Sequence, residues 1–306
     1  MTGSIEEFRR NFYNNYHNYL VGALEEFENK RKSKLIKAIV ISVILILSGV
    51  ILGYIELKYS SKPDGRLEFI LIALGFGTYH TIKKNFEKDI KNKIMTSVCR
   101  CFNEFITWSQ SYNNHTEFVN SGAIPKFADA EVDDVFNGIY KNVRISVVEA
   151  EYSIGSGKNR RTTFKGVIIK LNMNKNFSGH TIVCNDSIMH NSPVKELKRT
   201  ELEDVEFEKK YDVFTNDPVE ARYILNPRFM EKIKNIKVAF KCNKIKCAFH
   251  NNNLIISMDT GNTDLFSIGS LVKPVADPKQ FEELMSQFIS ILALIDILEL
   301  DKKALL

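Results

Sequence analysis

The chain has 306 residues, 44% of them apolar and 26% charged, with a formal net charge of +5. That length accommodates a membrane segment plus one soluble domain of about 150 to 200 residues, and the charge is too mild to name nucleic acid as a partner. Five cysteines, Cys99, Cys101, Cys184, Cys242 and Cys247, are odd in number and scattered, which excludes a disulfide framework and fits a reducing compartment.

At the N-terminus Ile5, Phe8, Phe12, Tyr16, Tyr19, Ala23 and Phe27 recur at steps of three and four, with polar residues between them. The spacing predicts an amphipathic helix within residues 1–34. Its polar face is as acidic as it is basic, so packing against another helix is favoured over lying flat on anionic lipid.

Residues 38–55, AIVISVILILSGVILGYI, contain no charge and at about 1.5 Å per residue cover roughly 27 Å of hydrocarbon. A second apolar run at 69–82 is shorter and carries His80. The polar turn at 60–65 is suited to returning the chain, so the expectation is a transmembrane hairpin over 35–83, with spans at about 38–55 and 67–82. Lys30, Arg31, Lys32, Lys34 and Lys37 precede the first span, and Lys83, Lys84, Lys88, Lys91 and Lys93 follow the second, whereas the connection offers Lys58, Lys62 and Arg66. This bias predicts that both termini are cytoplasmic. Lys30, Arg31, Lys32, Lys34, Lys37, Lys83 and Lys84 are the candidate membrane-surface residues, each contributing on the order of 1 kcal/mol near an anionic leaflet; fixing topology is a sufficient alternative role. The charged region before the first apolar run is too long for a cleavable signal peptide.

Helical spacing continues through Phe86, Ile90, Ile94, Val98, Phe102 and Phe105, which predicts a cytoplasmic helix over 84–115 packed on the N-terminal one. The remainder, 116–306, is expected to be an α+β domain with predominantly antiparallel pairing. Strands are predicted at 143–154 and 163–173, joined by Gly155-Ser156-Gly157, then at 180–184 and 205–214, with a further hairpin at 245–250 and 254–258. Asp217-Pro218 and Asp277-Pro278 each pair an N-cap with a proline suited to a helix start, and Asn226-Pro227 restarts a turn of helix.

Residues 202–231, LEDVEFEKKYDVFTNDPVEARYILNPRFME, carry a further signal. The Glu206-Phe207-Glu208-Lys209 run, the run at 219–225 that contains Glu220, Ala221, Arg222 and Tyr223, and an upstream Ile-Pro-Lys-Phe at 124–127 resemble in order the signature of a bacterial family of uncharacterised two-span membrane proteins, known as a domain of unknown function. Pro218 departs from the polar residue expected there and suits a helix start. The resemblance implies a bacterial inner-membrane protein and supplies no activity, substrate or catalytic residue.

The chemical candidates weigh less than their structural alternatives. Gly155-Ser156-Gly157-Lys158 lacks the first glycine and the hydroxyl of a phosphate-binding loop and joins two strands. Cys242 and Cys247 fit no usual zinc spacing, and His180, Asp186 and His190 sit in no ligand motif. An acidic run, Glu201, Glu203, Asp204, Glu206 and Glu208, leads into a stretch where Glu206, Glu208, Lys210 and Asp212 alternate with Val205, Phe207, Tyr211 and Val213, as the solvated face of a strand does, and Arg222 is a candidate clamp for one of these acids. No catalytic, cofactor-binding or metal residues are assigned and no cofactor is expected. The expected function is a membrane-tethered cytoplasmic binding or scaffold domain, with the lipid bilayer and an unidentified protein partner or second copy as partners; the alternatives are an enzyme with a cleft in the β-rich domain and a component of an oligomeric membrane complex, in which Gly49, Gly53, Gly75 and Gly77 let spans approach closely.

Overall fold

The computed structural model describes residues 5–60, 64–102, 106–173, 178–185, 192–231, 233, 240–242, 244–261, 265–266, 268–275 and 277–297. The chain divides into two compact units: Tyr13–Cys101 with Ser267–Glu282, and Met1–Phe12 with Phe102–Phe266 and Glu283–Leu306.

The first of these is built on two long helices, α2 (Gly22–Tyr59) and α3 (Arg66–Phe102). Helix α1 (Ile5–Tyr16) leads into α2 through a π-helical turn, His17–Val21. The two long helices run antiparallel, and glycines set their approach: a Cβ on Gly75 would lie 2.7 Å from Ile46 Cγ1, and one on Gly49 would lie 2.9 Å from both Ile72 Cγ1 and the Glu68 carbonyl oxygen. Further along, Phe27 meets Phe86 edge-on, and Ile90 and Ile94 are fully buried. The 267–282 segment closes this unit. Leu271 O accepts from Arg31 Nη1 at 3.2 Å, and Val275 N–H donates to Glu28 Oε2 at 3.0 Å.

The other unit is a nine-stranded antiparallel sheet in the order β1-β2-β3-β4-β9-β8-β5-β7-β6. Its strands are β1 (Thr107–Ser109), β2 (Asp129–Tyr140), β3 (Val143–Ile154), β4 (Arg161–Asn172), β5 (Thr181–Asn185), β6 (Lys198–Thr200), β7 (Tyr211–Thr215), β8 (Lys244–His250) and β9 (Asn253–Asp259). Two-residue turns with positive φ at Lys141 and Asn142, and at Asn251 and Asn252, close the β2–β3 and β8–β9 hairpins in the geometry that matches strand twist. Gly155, at φ +74°, turns β3 into β4.

Both sheet faces are covered, which explains why β4 reads as a nearly unbroken apolar run, GVIIKL. One face packs Val148, Ala150, Tyr152, Ile168 and Phe214 against Phe118 of α4 (His115–Asn120) and Ile124. On the other, Phe136 lies 5.1 Å from Phe288 of the C-terminal helix α7 (Pro278–Ile297) and 5.0 Å from Phe266. Phe8 and Phe12 stack on Phe102, with centroids 5.0 and 4.7 Å apart.

The α+β class and antiparallel pairing agree with the sequence, but two expected elements are corrected. Residues 205–214 are not one strand: Asp204 Oδ1 accepts from Phe207 N and caps a short helix, α5 (Val205–Glu208), before β7 begins. Asp212, expected on a solvated face, is 1% exposed and accepts from Arg199 Nε at 2.9 Å. The helix expected to reach residue 115 ends at Phe102, and β1 follows at Thr107.

Candidate functional site

Among the described residues, exposed large apolar side chains concentrate on α2 and α3. Ile36, Ile39, Val40, Ile44, Leu47, Val50, Ile51 and Ile55 on α2, and Leu67, Phe69, Ile70, Leu74 and Phe76 on α3, all present large side chains outward, Phe69 at 73% exposure. Soluble monomers rarely leave contiguous apolar patches of this extent uncovered. Among the described residues one helical stretch, Glu6–Tyr59, is long and apolar enough to cross a membrane, and most of its apolar part is exposed. Helix α3 is not apolar enough over a comparable length. Glu68, His80, Lys83 and Lys84 interrupt or bound its apolar run.

The basic residues flanking these runs differ in environment. Lys32, Lys37 and Lys84 are exposed, Lys30 pairs with Glu26, Lys34 Nζ lies 3.2 Å from Asp89, and Lys83 Nζ is 4.0 Å from Glu87. Arg31 is 8% exposed and forks onto Glu28, with Nη2 2.6 Å and Nε 2.9 Å from its carboxylate oxygens. The Arg31 guanidinium holds the Glu28 carboxyl down at about 2, with the Val275 N–H adding to that effect and burial opposing it.

Two of the signature residues, Glu208 and Glu220, hold backbone groups. Phe207 is fully buried and stacks on Tyr211, Glu208 Oε1 accepts from Leu202 N at 2.7 Å, and Lys209 pairs with Glu206 at the surface. Asp217 caps α6 (Pro218–Ile224) by accepting from Val219 N and Glu220 N. Glu220 takes the Ser178 and Gly179 N–H groups on its two carboxylate oxygens at 3.1 and 2.8 Å, and Ala221 is buried. Arg222 and Tyr223 are exposed, and among the described residues no ion pair joins Arg222 to the acidic run.

Side-chain clusters absent from the sequence reading lie on the sheet. Opposite Glu149 of β3, a bulge at Asp133 brings Asp133 and Asp134 together, so that one carboxylate oxygen from each of the three lies within 4.8 Å of the others. Asp134 and Glu149 are fully buried; Trp108 Nε1 donates to Asp134 Oδ1 at 2.7 Å, and Leu265 N donates to Glu149 Oε1 at 2.8 Å. An acid amid VVEAEY on a strand buried on both faces was the available signal. On the opposite face His115 Nδ1 lies 2.7 Å from Tyr152 OH, while Glu117 accepts from Tyr112 and, at 2.6 Å, from Lys170 Nζ. Burial lowers the His115 pKa and raises that of Tyr152, in each case disfavouring the charged form. A cavity of about 20 Å³ bounded by Phe8, Phe136, Tyr140, Phe288 and Leu292 is apolar and contains none of these groups.

Of the metal candidates, Asp186 and His190 lie outside the described residues, and His180 Nε2 is 2.9 Å from Ser121 O with its ring beside His250. All five cysteines are buried thiols, and burial pushes Cys101 up to about 12 and Cys247 well above its ordinary value. At the 155–158 tip, Arg160 folds onto Ser153, Glu131 and Asp129 of the adjoining strands.

These features define a mixed α+β protein with a long apolar N-terminal helix and an antiparallel sheet. Residues 162–300, from β4 through α7, match the model of a family described as Protein of unknown function (DUF3137), a match that includes positions 206–209 and 220–223. No curated protein matches the chain. The mycobacterial trehalose monomycolate transport factor A, TtfA, is a similar solved structure at a TM-score of 0.35 and 10% identity, over 63% of this chain and 88% of that one.

Proposed function

We propose that this protein is a membrane-anchored binding or scaffold protein, in which α2 and α3 form a two-span hairpin in the bacterial inner membrane and the sheet unit works in the cytoplasm. The observation that carries this reading is the outward-facing apolar surface shared by both helices, which water would penalise and hydrocarbon would not. The short polar connection between them and the basic residues beyond their other ends support an orientation with both termini inside. In the sheet unit the signature residues Glu208 and Glu220 spend their carboxylates on backbone N–H groups, which supports a structural use for them over a catalytic one. Lipid surrounds the hairpin, and a protein partner or a second copy engages the cytoplasmic unit.

Purification of the full-length protein from its native membrane in mild detergent tests the binding role. A stoichiometric protein partner, or a second copy captured by cross-linking, is the expected result. Turnover of a phosphoester, peptide or glycoside library by the purified protein would replace the scaffold reading with an enzymatic one.

A further inference from the structure

The α2–α3 pair carries a groove on its outward surface. Its volume is about 620 Å³, within the range of about 300 to 1,000 Å³ common for small-molecule sites, and it is lined by Phe69, Ala73, Leu74, Gly77 and Thr81 of α3 with Ile41 of α2 beside them. Gly77 keeps it open: a Cβ at that position would meet nothing within 4 Å, in contrast to Gly75 and Gly49, whose space the partner helix takes. The hydroxyls of Thr78 and Thr81 donate to the Gly75 and Gly77 carbonyls at 3.0 and 2.8 Å, which leaves the lining apolar in character. From Phe69 to Ile82 the groove follows α3 for about 20 Å, more than half of a hydrocarbon core about 30 Å thick.

One end of this groove is cationic. Lys37 stands four residues before Ile41 and Lys84 three after Thr81, spacings that keep each lysine on the helix face that lines the groove. Ser42 Oγ lies 3.4 Å from Thr78 Oγ1 and Lys34 Nζ 3.2 Å from Asp89, so Lys37, which falls between residues 34 and 42, comes level with the stretch holding Lys84. Both lysines are exposed, and among the described residues neither has an acidic partner, whereas Lys34 and Lys83 beside them pair with Asp89 and Glu87. An apolar trough headed by two unbalanced cations complements an amphiphile with an acidic head and a hydrocarbon tail.

We propose that this groove binds one anionic phospholipid of the cytoplasmic leaflet, with an acyl chain lying along Gly77 and the phosphate of its headgroup held between Lys37 and Lys84. The inference rests on the two-span reading above, which puts the groove in hydrocarbon and its lysine end at the inner surface. A zwitterionic lipid offers a phosphate whose charge its own amine already balances, so a net negative headgroup gains most from the two lysines. A second copy of the hairpin suits the groove less, since two-fold pairing there would bring the same lysines of both copies together.

The test is native mass spectrometry of the full-length protein in detergent, titrated with phosphatidylglycerol and with phosphatidylcholine of the same acyl chains. One phosphatidylglycerol is expected to bind first, about tenfold or more tighter than phosphatidylcholine. K37Q and K84Q each weaken it about fivefold, and G77L, which fills the groove, removes the tight site. K32Q leaves it unchanged, because Lys32 is five residues from Lys37 and on another helix face. All four positions are exposed, and unchanged circular dichroism keeps a lost site distinct from a lost fold. Equal affinity for the two lipids, an effect of K32Q equal to that of K37Q, or undiminished binding by G77L overturns the proposal. Thiol labelling in intact cells of a cysteine placed at Lys58, but not of one placed at Lys158, reads the hairpin separately. A missing lipid preference in a hairpin so labelled removes the lipid site alone, and absence of that labelling pattern removes the two-span reading beneath it.

Discussion

Arg31 shows how far a side chain's role depends on its partners. In the sequence it is one of five cations before an apolar run. In the fold it is buried, grips Glu28 and reaches the Leu271 carbonyl, while Glu28 takes the Val275 N–H. The pair therefore anchors a segment more than two hundred residues away in sequence. Glu28 has a folded-state pKa near 2, below its ordinary value of 4.5, so its contribution is fully present above about pH 4.5 and declines as pH falls toward about 2. Replacing Glu28 by Gln is expected to cost about 2 kcal/mol at neutral pH, a loss that shrinks in acid, as thermal melts across that range would record. Unchanged melting of E28Q at neutral pH would contradict this role. On the sheet, Trp108 donates to the buried Asp134, so Trp108→Phe removes a hydrogen bond to a charged acceptor and is expected to cost about 1.5 to 3 kcal/mol in denaturant unfolding followed by circular dichroism.

At the scale of elements, legibility followed local chemistry. The strand at 143–154 and the β8–β9 hairpin were readable because alternation and turn residues agree there, and Asp217-Pro218 and Asp277-Pro278 mark the starts of α6 and α7. Strand β2 was not readable. Its bulge at Asp133 breaks the period of two, and the acids it carries look like loop residues until Glu149 is set opposite them. The stretch 205–214 alternates like a strand, yet the Asp204 cap and the contact of buried Phe207 with Tyr211 favour a turn of helix. The acidic cluster was missed for the same reason: its members come from different elements, and spacing along one element cannot show a meeting between two. Asp217→Ala should cost about 1 kcal/mol in a denaturant titration, because two N–H groups at the start of α6 lose their acceptor. The helix pair depends on close approach instead. Gly75→Leu forces a side chain into Ile46 and the Ser42 carbonyl, and is expected to lower helix-pair stability by about 1 to 3 kcal/mol in detergent melts; an unchanged melt would mean the pair does not rely on that contact.

For the whole molecule, the two units pose different solvent problems. The sheet unit buries its apolar residues on both faces and presents mostly polar side chains, as expected of a body in water. The helical unit leaves isoleucine, leucine, valine and phenylalanine outward along both long helices, an arrangement that hydrocarbon stabilises. Because the native cysteines are buried, single engineered thiols can report sidedness with little background. The decisive measurement places a cysteine at Lys58, in the last turn of α2, or at Lys158, at the β3–β4 tip, and labels intact cells with a membrane-impermeant thiol reagent. A two-span hairpin with cytoplasmic ends predicts labelling at position 58 in intact cells and at position 158 only after permeabilisation. Labelling of both positions in intact cells would mean that α2 crosses alone, and labelling of neither would mean that the connection never leaves the cytoplasm.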